Sequence, residues 1–144
     1  MIVILIILAV IVLAILLFLN SKLNQMRREM TGLPISAKFP IRQSLQLDRQ
    51  YMMIVSTQCS VCQRIFQSLK SKTSLDSLYL VFKEDTQTVQ QFIVQHPHLK
   101  KVHIISDIEP QQLYIQTTPL TYTVNRTGHI IKKQAVVSLK ELGL

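Results

Sequence analysis

The chain has only two cysteines, Cys59 and Cys62, with two residues between them. A C-x-x-C pair supports two kinds of chemistry: reversible disulfide exchange, or one half of a zinc or copper site. For exchange the attacking species is a thiolate, and a cysteine at a helix N-terminus has it favoured by unpaired amide donors and the helix dipole. Cys59 is then the nucleophile, and Cys62, one turn further in, is placed to attack a mixed disulfide and release the partner. No cysteine elsewhere competes for a structural bridge. A metal site would have to recruit His96, His98, His103 or His129, and the spacing matches no common finger or ribbon. A second signal is Thr117-Thr118-Pro119-Leu120, well downstream of the cysteines. Proline is tolerated at the first position of a strand, and a cis bond between Thr118 and Pro119 would be a deliberate feature of a fold.

The elements around these residues decide how informative they are. Tyr51–Ser56 is a short continuous apolar run, the pattern of a strand covered on both faces. It leads straight into Cys59, and Ser60–Lys72 carries Val61, Ile65, Phe66 and Leu69 at helical spacing. Leu78–Phe82 reads as a second buried strand, Thr86–Gln95 as a helix closed by His96-Pro97, and Val102–Ile105 as a third strand. Asp107–Tyr114 is predicted to be a short helix with Asp107 as N-cap and Pro110 in its first turn. Leu120–Val124 and His129–Lys132 are predicted strands joined by Asn125-Arg126-Thr127-Gly128, and Val137–Leu142 is a final short helix. The order β-α-β-α-β-α-β-β-α implies a central mixed sheet with helices on both faces.

The start of the chain is of another kind. Ile2–Leu19 contains no polar residue, and a helix of that length is about 30 Å long, the thickness of a bilayer core. No charge precedes the run, and Leu17-Phe18-Leu19-Asn20 is a poor cleavage site, which favours an uncleaved anchor over a signal peptide. The expected organisation is a transmembrane anchor over residues 1–20, a juxtamembrane segment and linker over 21–40, and a folded domain over 41–144. Ser21–Met30 extends the anchor helix, and Gly32 and Pro34 stop it. About half of the net charge of +8 lies in residues 20–50, where it suits lipid headgroups. Aromatic residues are few and Trp is absent, so the composition does not suit a nucleic-acid binder. Lys22, Arg27 and Arg28 all follow the apolar run, and the positive-inside rule taken alone puts the C-terminal part in the cytoplasm.

A strand, then Ser56-Thr57-Gln58-Cys59-Ser60-Val61-Cys62 opening a helix, then Thr118-Pro119 before a hairpin resembles the thioredoxin superfamily. Within it the chain looks most like the membrane-tethered thiol–disulfide oxidoreductases of the TlpA, ResA and MauD type. Gly32-Leu33-Pro34-Ile35-Ser36-Ala37-Lys38-Phe39 is similar to a degenerate form of their Gly…Ala-Pro-x-Phe opening segment, and the likeness covers residues 32–142. It implies a three-layer α/β fold with a central mixed sheet and a catalytic disulfide between Cys59 and Cys62. It also implies a cis Thr118–Pro119 bond whose neighbouring backbone binds the client chain. The implied partners are a client protein bearing disulfides or thiols, a redox protein that resets the pair, and membrane lipid; no cofactor is implied. The implied side of the membrane is extracytoplasmic, against the charge rule. The chain also departs from the family: no Trp precedes Cys59, and Met52-Met53-Ile54-Val55 lacks the buried acid of typical thioredoxins. The direction of exchange is not implied. Two other readings stay open, a module that handles copper or zinc and a non-catalytic scaffold of the same fold.

Overall fold

A computed structural model describes residues 1–30, 32–113 and 118–144. The first element, α1 (Ile2–Met30), is one continuous helix that runs through the apolar segment into its polar extension. Within it Ile2–Asn24 has a mean hydropathy of 3.8 and no part of it is buried against the rest of the chain. Among the described residues it is the one helix long and apolar enough to cross a membrane.

The folded part follows the expected order: β1 (Gln50–Val55), α2 (Ser60–Ser68), β2 (Leu78–Phe82), α3 (Thr86–Gln95), β3 (His103–Ile105), α4 (Pro110–Leu113), β4 (Leu120–Val124) and β5 (Ile130–Gln134). The five strands form a single mixed sheet in the order β3-β2-β1-β4-β5. β1 pairs parallel to β2 and antiparallel to β4, which places it at the centre of the sheet. Because β1, β2 and β3 step across the sheet in one direction, right-handed crossovers put α2 and α3 on the same face.

Alternation along the strands divides the core in two. Met53 and Val55 of β1, with Leu78, Leu80 and Phe82 of β2, meet Ile65, Phe66 and Leu69 from α2 and the turn after it, and Val89 from α3. Met52, Ile54, Tyr79, Val81, Leu120, Tyr122 and Val124 face the other way. The only described helix on this second face is the four-residue α4. Most of the cover comes instead from Leu33, Ala37, Phe39, Ile41 and Leu45, in the non-helical stretch that follows α1.

That stretch is bonded to the sheet as well as packed on it. The Leu33 amide donates to the Tyr122 hydroxyl at 2.8 Å, the Ser36 amide to the Ile130 carbonyl at 2.8 Å, and the Phe39 amide to the Gly128 carbonyl at 2.8 Å. Lys38 forms an antiparallel bridge with His129. The hairpin it grips is closed by Asn125, whose side chain accepts from the Thr127 and His129 amides, and by Gly128, whose φ of 86° a residue with a Cβ would adopt only under strain.

Several local expectations shift. α2 ends at Ser68 and continues to Ser71 only as a 3-10 turn, and the final helix is a 3-10 turn over Leu139–Leu142. The short helix after β3 begins at Pro110, so Asp107 is not its N-cap; a proline favours the first helical position and sets the start there. Its expected end at Tyr114, and Thr117, lie outside the described residues.

Phe39 is 1% exposed, with its ring 5.5 Å from that of Tyr122. Phe39→Ala is therefore expected to destabilise the folded part by about 3–5 kcal/mol, measured by denaturant unfolding of the chain in mild detergent followed through tyrosine fluorescence. A loss under about 1 kcal/mol would mean that residues 33–41 only connect and do not hold the sheet.

Candidate functional site

β1 delivers the chain to a three-residue loop, Ser56-Thr57-Gln58, and Cys59 then caps α2. Its φ of −84° and ψ of 121° are extended, as an N-cap requires. No Ser, Thr, Asp or Asn stands at this position, and the sulfur itself does the capping. Cys59 Sγ accepts the Cys62 amide at 3.2 Å, while the Cys59 carbonyl accepts the Gln63 amide at 3.0 Å. The loop is held from the helix side by Gln63, whose side-chain amide donates to the Thr57 carbonyl at 2.6 Å.

The two thiols sit in different surroundings. Cys59 is partly exposed, whereas Cys62 is fully buried with Ile65 and Phe66 in the core between α2 and the sheet. Burial alone would raise the Cys59 pKa, but hydrogen bonds from the Cys62 and Thr118 side chains and from the Cys62 and Val61 backbone outweigh it. The net result lies below the ordinary thiol value. For Cys62 burial dominates, and its hydrogen bond to Cys59 favours the protonated form too; its pKa is pushed up to about 12. One residue type thus supplies a partly exposed thiol whose pKa is lowered and a buried one whose pKa is raised.

The second sequence signal comes to the same place. Thr118 and Pro119 stand at the head of β4, next to β1, and their peptide bond is cis. The Thr118 carbonyl lies 3.6 Å from Cys59 Sγ and accepts from the thiol. Two segments far apart in sequence, Cys59–Cys62 and Thr118–Pro119, therefore share one end of the sheet.

The histidines do not join them. His96 Nδ1 bonds the Phe92 carbonyl, His98 Nε2 the Phe66 carbonyl, His103 stacks on Tyr79, and His129 pairs with Thr127. Among the described residues no group of three or more His, Cys, Asp or Glu side chains is placed to hold a metal ion.

Two contributors escaped sequence reasoning. Glu84, just past β2, accepts from Ser56 Oγ at 2.6 Å, the Thr57 amide at 2.9 Å and Thr57 Oγ1 at 3.0 Å. The signal for it is indirect: in parallel neighbours, whatever follows one strand faces whatever follows the other. Lys101 donates to the Leu69, Lys70 and Lys72 carbonyls at 3.4, 3.0 and 2.8 Å, closing the far end of the helix that carries the cysteines.

The difference between the thiols has a direct readout. A lowered pKa enlarges the thiolate fraction at neutral pH, so alkylation of Cys59 by iodoacetamide is expected to have its midpoint below that of a free cysteine, about pH 8.5. Cys62 is expected to stay unmodified in the folded chain throughout that range. Peptide mass spectrometry after timed alkylation measures both; a Cys59 midpoint at or above the free-thiol value would contradict the geometry.

Compared by sequence, the chain matches no protein-family model and no curated protein. Compared by structure, it is similar to the C-terminal domain of an uncharacterized protein from Bacteroides fragilis, with a TM-score of 0.50 and 14% identity, over 67% of this chain and 76% of that one. It is also similar to a thio-disulfide isomerase from Thermus thermophilus, with a TM-score of 0.45 and 19% identity over 73% of this chain and 85% of that one. For StoA from Bacillus subtilis the TM-score is 0.44 and the identity 21%, over 62% and 75% of the two chains. The sheet order, the C-x-x-C at the head of the first crossover helix and the hairpin that completes the sheet make this a thioredoxin-like fold behind a long apolar N-terminal helix.

Proposed function

We propose that the chain is a membrane-anchored thiol–disulfide oxidoreductase that works through Cys59 and Cys62 on a client protein. The observation that carries this reading is the Cys62 amide on the sulfur of Cys59, 3.2 Å away, at the exposed head of α2. A thiolate held there is both stabilised and accessible, the two properties that a nucleophile in disulfide exchange needs.

In the reducing direction the Cys59 thiolate attacks one sulfur of a client disulfide. A Cys59–client bond forms, the client S–S bond breaks, and the leaving sulfur departs as a thiolate that takes up a proton. Cys62 then loses its proton and attacks Cys59 Sγ, which expels the second client sulfur and leaves a Cys59–Cys62 disulfide. The client has gained two electrons and the enzyme has lost two, so a dithiol partner must restore the pair. Run backwards, the same steps oxidise a client dithiol. The high pKa of buried Cys62 suits the order of events: it stays protonated while the client binds, and it has only one sulfur within reach to attack. No cofactor is needed.

Thr118 and Pro119 are the proposed client-binding residues. In this reading the backbone around Thr118 exchanges its contact with the Cys59 thiol for one with the client chain, next to the sulfur under attack. Ile2–Asn24 anchors the chain in a single pass, and the redox domain faces the extracytoplasmic side, where disulfides persist. That assignment follows the family resemblance and runs against Lys22, Arg27 and Arg28.

The roles are separable by substitution. Cys62→Ala is expected to accumulate a client-linked disulfide on Cys59, seen as a band lost on reduction in non-reducing gels, and Cys59→Ala is expected to accumulate none. Equal trapping by the two variants would remove the assignment of nucleophile and resolving thiol.

A further inference from the structure

We infer that Glu84 is a positioning residue of the dithiol site, holding the loop Ser56–Gln58 so that Cys59 stays at the head of α2; this rests on the dithiol reading above. The placement follows from register. β1 and β2 run parallel with Val55 beside Phe82, and the Lys83 amide donates to the Val55 carbonyl at 3.1 Å. The residues just beyond the two strand ends, Ser56-Thr57 and Glu84, are thus brought side by side.

The bonding is unusually concentrated. One carboxylate oxygen, Oε1, accepts from Ser56 Oγ, the Thr57 amide and Thr57 Oγ1. Hydrogen bonds to a charged acceptor are roughly twice as strong as neutral ones, and three on a single oxygen fix both backbone and side chains of the loop. Ser56 Oγ passes the restraint on by accepting the Gln58 amide at 3.3 Å. The Ser56 carbonyl then accepts the Cys59 amide at 3.3 Å. The Ser56 backbone also interacts with the Cys62 thiol, in the sense that favours its ionised form. Ser56 is therefore bonded to Cys59, and Glu84 grips Ser56.

A purely architectural role explains the arrangement less well. The other oxygen, Oε2, is buried with no hydrogen-bond partner, and the one ion pair among the described residues joins Arg126 to Asp48. A carboxylate there carries an uncompensated cost that a neutral residue would avoid. What it supplies is three bonds from one atom, all directed at the approach to Cys59.

The test compares Glu84→Ala with Glu84→Gln in the full chain, reduced and held in mild detergent, reading the pH profile of Cys59 alkylation by iodoacetamide. The glutamine carbonyl can accept the same three bonds without the charge. Glu84→Ala is expected to move the Cys59 midpoint upward by about half a unit or more, close to threefold less thiolate at a given pH below the midpoint. Glu84→Gln is expected to stay within about 0.2 unit of the parent chain. Two results would overturn the inference: no shift in a folded Glu84→Ala chain, or a downward shift shared by both variants, which would mark a charge effect. If Glu84→Ala does not fold, Ser56→Ala and Thr57→Val each remove one of the three donors. Each is then expected to shift the midpoint upward, and no shift in either would overturn the inference. The alkylation profile requires neither a client nor a redox partner. Failure of the dithiol reading would show separately, as the absence of a reversible Cys59–Cys62 disulfide in the parent chain.

Discussion

An amide proton resting on a sulfur is the contact on which the rest of the site depends. An α-helix leaves its first amides without partners, and the side chain at the N-cap must take up at least one of them. In this chain that side chain is Cys59, and the amide it takes is that of Cys62. Capping and charge stabilisation are one interaction, since the bond that starts α2 also favours negative charge on the sulfur. The spacing of the two cysteines is then not arbitrary. Three positions separate the cap from the amide it holds, and the same three place a second thiol one turn inward, buried against the sheet.

The fold is arranged around holding that helix start in place. β1 is central, paired on both sides, and ends where the loop begins. Gln63 ties the loop to α2, Glu84 ties it to β2, and the Thr118 carbonyl meets Cys59 from β4. Three neighbouring strands therefore converge on a few atoms. Beyond the opposite end of α2, Lys101 donates to carbonyls in and just after the 3-10 turn that continues it, placing a positive charge near the negative end of the helix dipole. The second face of the sheet is closed differently. A non-helical segment lies along it, and the backbone bonds from residues 33–39 make the route from the apolar helix to the domain part of the sheet's own support.

Much of this was legible in the sequence because buried strands and amphipathic helices leave periodic traces. The runs at 51–56, 78–82 and 120–124 and the helical spacing of Ile65, Phe66 and Leu69 sufficed to order the elements and to place Cys59 at a helix mouth. What was hard to read has no period. Phe39 is a single aromatic residue in an irregular stretch, and only its contact with Tyr122, 83 positions on, reveals it as core. Glu84 belongs to a turn between a strand and a helix, where an acid is ordinary; its importance depends on which strand lies beside which. α4 starts later than Asp107 suggests for a local reason: an aspartate is a good cap, but Pro110 determines where the helix begins.

The most direct test of the dithiol chemistry is redox titration of the chain against glutathione buffers, following the Cys59–Cys62 disulfide by mass. A thiol pair that exchanges as proposed will convert fully and reversibly between dithiol and intramolecular disulfide as one two-electron step, with a tenfold change in the equilibrium constant for about every 30 mV. A titration that stops at glutathione bound to Cys59, with Cys62 left as a thiol, would contradict it.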